Sequence, residues 1–210
     1  MKPAHLNLFI VFASLHAGAL ITAGIHGAKL TNLGGLVFDA GLITFSITFI
    51  ITDIVSELFG KKYSKKIIFG SLCALLCAYF VTQFILMLPA DSQWELESEF
   101  SAILGTGSRI FIAALVTYVF SQLVDIWIFS YIRQKTGAKY LWLRNNLSTL
   151  GGGLVDAVVF STIAFYGVYD VLPIIISAYT MRIIISILDT PLIYLIIYIL
   201  RKKYPDLRSA

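Results

Sequence analysis

The sequence predicts an all-α, polytopic integral membrane protein with six transmembrane helices and both termini cytoplasmic. Three observations carry that prediction. Of the 210 residues, 58% are hydrophobic and only 13% are charged, about half the charged share of an ordinary soluble domain. Residues 3–28 and 67–90 contain no Asp, Glu, Lys or Arg, and each stretch exceeds the ~20 apolar residues needed to cross a bilayer as a helix. The basic residues gather in alternate loops. A chain of this composition is not a soluble, disordered, fibrous or disulfide-rich secreted protein.

The spans follow in order at about residues 6–28, 36–59, 67–88, 107–132, 147–169 and 173–200. The first resembles a signal peptide only superficially: its leading segment carries a single Lys2, and the apolar run is longer than a signal core. Nothing between the spans is long enough for a soluble domain, so residues 1–210 read as one six-helix domain.

Loop charge sets the orientation. Thirteen basic residues lie on one side: Lys2, Lys61, Lys62, Lys65, Lys66, Arg133, Lys135, Lys139, Arg144, Arg201, Lys202, Lys203 and Arg208. The opposite side has Lys29 alone, together with the acidic Asp91, Glu95, Glu97 and Glu99. Basic loops stay cytoplasmic. The net charge of +4 is thereby explained by topology, and no nucleic-acid partner is expected.

Charges inside the spans are costly, roughly 2.5–3.5 kcal/mol each on insertion scales, and usually face the bundle interior for a purpose. The acids are Asp53, Asp125, Asp156 and Asp189, with Glu57 nearer the cytoplasmic interface; the bases are Arg109 and Arg182. Helical spacing sorts polar residues into stripes: Asp53 with Glu57, Gln122 with Asp125, Asn145 with Thr149 and Asp156, and Arg182 with Asp189. Four stripes that avoid lipid should converge on one interior site. Asp53-Ile54 and Asp125-Ile126 each lie eight residues before a basic residue, which puts both acids roughly 12 Å above the basic face. Pairing with bases is the structural alternative, but four acids outnumber two arginines. At least two acids are left for protons, a cation or a donor-rich ligand.

Other features carry less. His16 reads as a packing or polar contact, since no second metal ligand accompanies it; no metal and no cofactor are expected. Cys73 and Cys77 read as small core residues. Trp127 could stack on a planar ligand or anchor the interface. Gly151, Gly152 and Gly153 permit close helix approach or a local break.

Three ordered segments resemble a known family. Thr52-Asp53-Ile54-Val55-Ser56-Glu57-Leu58-Phe59-Gly60 with the following lysines, Ser121-Gln122-Leu123-Val124-Asp125, and Trp142-Leu143-Arg144-Asn145-Asn146-Leu147-Ser148-Thr149 with Asp156 are similar to segments of the queuosine precursor transporter family, also called the vitamin uptake transporter family. The resemblance implies import of a 7-deazaguanine base: the nitrile or aminomethyl precursor of queuosine, or queuine. The residue chemistry agrees with such a ligand. One carboxylate accepts the adjacent N–H and NH₂ of a guanine-like edge, a second neutralises an aminomethyl cation, and Asn or Gln takes the remaining polar atoms. An aromatic such as Trp127 or a nearby Phe would stack on the ring.

The expected substrate-binding set is Asp53, Glu57, Gln122, Asp125, Trp127, Arg144, Asn145, Asn146, Thr149, Asp156, Arg182 and Asp189, with Arg144 as a gate or cap at the cytoplasmic mouth. Asp156 and Asp125 are both candidate readers of the guanine-like edge. No catalytic residues are expected. No GxxxxGK[ST] nucleotide-binding segment occurs. Facilitated diffusion and proton coupling stay open, as does a homodimer. The rivals are a substrate-binding subunit of an energy-coupling-factor vitamin importer, an intramembrane hydrolase using two Asp residues, and a cation channel.

Overall fold

The computed structural model describes residues 2–27, 29–105, 108–137 and 139–207, without the side chains of Ser108 and Arg109. The intramembrane base Arg109 and the basic residue Arg208 of the sequence reading therefore lie outside what is described. The elements run α1 Pro3–His26, β1 Leu30–Leu33, β2 Leu36–Asp39, α2 Gly41–Leu58, α3 Lys61–Leu86, α4 Glu97–Leu104, α5 Ser108–Thr136, α6 Leu141–Phe165 and α7 Val171–Lys203. Among the described residues six helices are long and apolar enough to cross a membrane: α1, α2, α3, α5, α6 and α7.

Three boundaries differ from the sequence reading. The second span begins at Gly41 rather than near residue 36, because residues 30–39 form a short antiparallel hairpin. Gly34 and Gly35, at φ 60° and 88°, supply the two left-handed residues that a two-residue hairpin turn requires. Asp39 then accepts the Leu42 N–H at 3.0 Å, satisfying one of the free donors at the start of α2. The third span begins at Lys61, so its lysines are helical. The fifth begins at Leu141, which turns Arg144, Asn145 and Asn146 from loop residues into the first turns of a helix.

The helix α2 is the axis of the bundle. Of its span 78% is buried, against 17–39% for the other five. Apolar clusters surround it along its length. Phe38, Leu42, Ala157, Ala178 and Met181 pack at the hairpin end. Ile51, Ile54, Val55, Leu58, Phe129 and Ile193 pack at the other. Leu20, Ile68, Leu75, Tyr118 and Ile126 fill a third cluster between α1, α3 and α5. The outer surfaces carry Phe69, Phe80, Phe84 and Leu188, all strongly exposed, as expected of faces that meet lipid tails. Cys73 and Cys77 also lie exposed on α3, which corrects their placement in the core: they sit on the face of α3 opposite Leu75, a buried residue.

Two glycines bring α6 close to its neighbours. A Cβ at Gly152 would stand 2.8 Å from the Ser121 carbonyl oxygen and 3.0 Å from Asp125 Cβ, so only glycine lets α6 lie against α5 there. A Cβ at Gly153 would collide with the Arg182 side chain. The close-approach role expected of the triplet holds, and α6 runs through it without a break. Lys2 and Asp206 form an ion pair that joins the two ends of the chain at one end of the bundle.

Candidate functional site

Polar residues occupy three layers along α2, and its sequence orders them: Asp39 just before the helix, Asp53 in its second half, Glu57 one turn further on.

The first layer lines a half-open cleft at the hairpin end. Asp39 lies beside Phe45 of α2, Thr117 of α5, Asp156 and Phe160 of α6, and Arg182 of α7. Arg182 is only 1% exposed. Its Nη2 pairs with Asp156 Oδ2, while Nε and Nη1 have no hydrogen-bond partner among the described residues. The guanidinium also lies over Phe45 and Phe49, at 5.2 and 4.9 Å from the ring centres, a contact that offsets part of the cost of burying it. The Asp39 carboxyl is pushed up to about 6 by burial, with the Asp156 charge adding to the rise and Arg182 opposing it. The cleft is therefore bordered by a buried guanidinium with two unpartnered nitrogens, by carboxyl groups and by aromatic rings. Asp39 and Thr117 escaped the sequence reading. Asp39 stood at the assumed edge of a span, where an acid attracts no notice, and only the Gly34-Gly35 turn signal could have separated it from α2.

The second layer is closed. Asp53 of α2 and Asp125 of α5 are both 0% exposed and act directly on one another. Ser148 of α6 donates to Asp53 Oδ1 at 3.5 Å, and Thr149 flanks the same carboxyl. Asp53 Oδ2 and both Asp125 oxygens have no hydrogen-bond partner among the described residues. Gln122, one turn before Asp125, is satisfied differently: it donates to Thr48 Oγ1 at 2.6 Å and accepts from Thr52 at 3.3 Å, fastening α5 to α2.

The third layer is an ionic knot. Glu57 receives Arg144 at 2.7 Å and Arg201 at 2.5 Å. Arg144 also donates to the carbonyl of Gly137 at 2.8 Å, tying down the turn after α5. Arg133 of α5 reaches the Ser56 carbonyl at 2.8 Å. Both roles expected of Arg144, gate and cap, place it at this end of the bundle, where its contacts hold α2, α6 and the turn after α5 together. It is fully buried, not a loop charge.

The remaining expected residues divide. Asn146 is taken up in joining α6 to α7: it donates to Thr190 at 2.8 Å and accepts from Ser186 at 3.2 Å. Asn145 makes a long contact to Thr190 and leaves Oδ1 unpartnered. Trp127 is placed away from every layer. It is 58% exposed and stacks on Tyr131 one turn along the outside of α5, because it lies two residues from Asp125 and so on another helix face. Asp189 feels the Arg182 charge but is half-buried beside the exposed Ile187 and Leu188 and lines neither the cleft nor the carboxyl pair. The four stripes thus face the bundle interior but divide among three layers instead of meeting at one site, and α7 contributes Arg182 to the first layer without Asp189. His16, fully buried, contacts Ser71 at 2.8 Å, the polar contact expected of it. No group of three or more His, Cys, Asp or Glu gathers as a metal site among the described residues.

Comparison with known proteins adds to this geometry. The family described as "Putative vitamin uptake transporter" matches residues 39–196, a stretch that includes Asp39, Asp53, Asp125, Glu57 and Arg144 and ends before Arg201. A protein of Bacillus subtilis (strain 168) named "Probable queuosine precursor transporter" is 34% identical over 119 residues. That alignment covers 55% of this chain and 52% of the relative, so it spans about half the length of either protein. No solved structure matches the chain.

Proposed function

The chain belongs to the vitamin uptake transporter family, and on that premise we propose that it imports a 7-deazaguanine precursor of queuosine through the cleft at its hairpin end. The hairpin face is outward in this reading, as the loop charges favour, and both termini are cytoplasmic. Residues 1–210 act as one transport domain that carries its cargo without covalent chemistry.

The observation that carries the reading is Arg182, buried at the cleft with Nε and Nη1 free and with the carboxyls of Asp39 and Asp156 beside it. A guanine-like edge presents a carbonyl oxygen next to an N–H and an NH₂. The guanidinium donates to the carbonyl, and the Asp39 carboxylate accepts both donors in a bidentate pair. Phe45 and Phe160 supply faces for the ring. An anionic cargo would not suit a cleft with two acids and one base. The name of the Bacillus relative supports the same cargo class.

The Glu57–Arg144–Arg201 knot closes the opposite end of the bundle in this arrangement, and passage requires it to open. A queuosine-requiring strain that lacks its own uptake protein tests the reading. Expression of this chain with queuine in the medium should restore modified tRNA, and Arg182→Met should abolish the rescue at equal expression. Absence of rescue by a well-expressed wild-type chain refutes the cargo assignment. Rescue that depends on added ATPase partners would instead favour a subunit of an energy-coupling-factor importer.

A further inference from the structure

The cargo chemistry of the cleft does not use Asp53 and Asp125. Both side chains are fully buried, and three of their four oxygens have no hydrogen-bond partner among the described residues. The nearby guanidiniums make their ion pairs with other acids, Arg144 with Glu57 and Arg182 with Asp156, and reach Asp53 and Asp125 only through the field of their charge. Two adjacent carboxylates in a low-dielectric interior repel one another strongly when neither is neutralised. What lines them is oxygen. Ser148 Oγ contacts Asp53, Thr149 flanks it, and Asn145, one turn earlier on the same face of α6, keeps Oδ1 unpartnered while 2% exposed.

We propose that the Asp53–Asp125 pair, with Ser148 and Thr149, is a binding site for one monovalent cation, a proton or a sodium ion, that moves with the cargo. An oxygen-only lining suits a hard cation. No third acid, histidine or cysteine joins the pair among the described residues, so the site lacks the several carboxylates a dedicated divalent-ion cage would use. Position supports coupling. The site lies between the cleft and the ionic knot, with Asp53 on α2, Asp125 on α5 and Ser148 and Thr149 on α6, three helices that must move relative to one another for the knot to open. Gly152 holds α6 against Asp125 itself, so a shift of α6 changes the site directly. A bound cation removes the repulsion that would otherwise favour separating α2 from α5.

Cation binding is testable without cargo, so its outcome is independent of the queuosine reading; only the coupling rests on that reading. Purified wild-type protein is melted in sodium chloride and in choline chloride, and its protonated-carboxyl infrared band is followed from about pH 5 to 9. A sodium site raises the melting temperature by ~3 °C or more in sodium; a proton site shows a carboxyl band that titrates in that range. Asp125→Asn and Asp53→Asn should each abolish whichever response appears. Should either variant fail to fold, Ser148→Ala, which removes only the hydroxyl donor, should weaken the response at least threefold. A wild-type protein with neither response, or a response that survives these variants undiminished, overturns the site. In liposomes the matching inward ion gradient should raise queuine uptake at least threefold. Uptake indifferent to both gradients overturns the coupling and leaves the binding result standing.

Discussion

Arg144 and Glu57 meet at 2.7 Å with side-chain exposures of 0% and 2%, which makes this the most enclosed ion pair in the molecule among the described residues. A buried pair gives little net stability over an apolar replacement, yet breaking it leaves a buried charge under-compensated, here Glu57 with only the half-exposed Arg201. Arg144→Met should therefore destabilise the protein by about 3 kcal/mol, read as a fall in the melting temperature of the detergent-solubilised protein. Arg201, 40% exposed on the other side of Glu57, should cost far less when replaced by Met. Equal losses at the two positions would contradict this division.

Gly152 tests helix approach. Gly152→Ala places a methyl 2.8 Å from a backbone carbonyl and beside Asp125, neither of which can swing away, so a loss of about 1–3 kcal/mol is expected. Gly151→Ala would press instead on the tip of the Ile128 side chain, which can rotate, and should cost less. Thermal melts of the two variants give the comparison.

The sign of the pH effect at Asp39 follows from its raised value of about 6. Between the ordinary carboxyl value of 3.8 and 6, the folded protein keeps a proton that the unfolded chain has released. The stabilisation linked to this group is full below that window and is lost as pH rises through it. Asp39→Asn should flatten the dependence of melting temperature on pH across this range while still accepting the Leu42 N–H. Cargo affinity should run the other way in the wild type, rising as Asp39 ionises above about pH 6, and Asp39→Asn should remove that rise. Both trends are read from melts and binding titrations at stepped pH.

Aromatic residues divide by position. Trp127 stacks on Tyr131 outside the bundle, so Trp127→Ala should change queuine uptake by less than twofold. Phe45 lines the cleft and supports Arg182, and Phe45→Ala should lower uptake at least tenfold, about 1.4 kcal/mol of binding. Uptake assays at matched expression decide between the two.

The spans and polar stripes were legible in the sequence because apolar length and helical spacing are local properties. The surplus of acids was legible too: Asp53 and Asp125 form no ion pair among the described residues. Which base meets which acid was not, since it depends on how each helix is rotated: Arg182 chose Asp156 over Asp189, and the supposed loop residue Arg144 turned inward to Glu57. The hairpin at Leu30–Asp39 was missed because its apolar residues extended the hydropathy of the next span, while its Gly-Gly turn went unread. With it went Asp39. Of the two roles open to Trp127, ligand stacking and interfacial anchoring, its exposed position against Tyr131 suits the second, since two residues along a helix do not convert nearness in sequence into nearness in space.

The most direct measurement is uptake of radiolabelled queuine into liposomes that contain this chain alone. The account predicts time-dependent accumulation, lost in Arg182→Met and Asp39→Ala and competed by the aminomethyl precursor. Folded wild-type protein that takes up no queuine and no precursor, or variants that transport as well as the wild type, would contradict it.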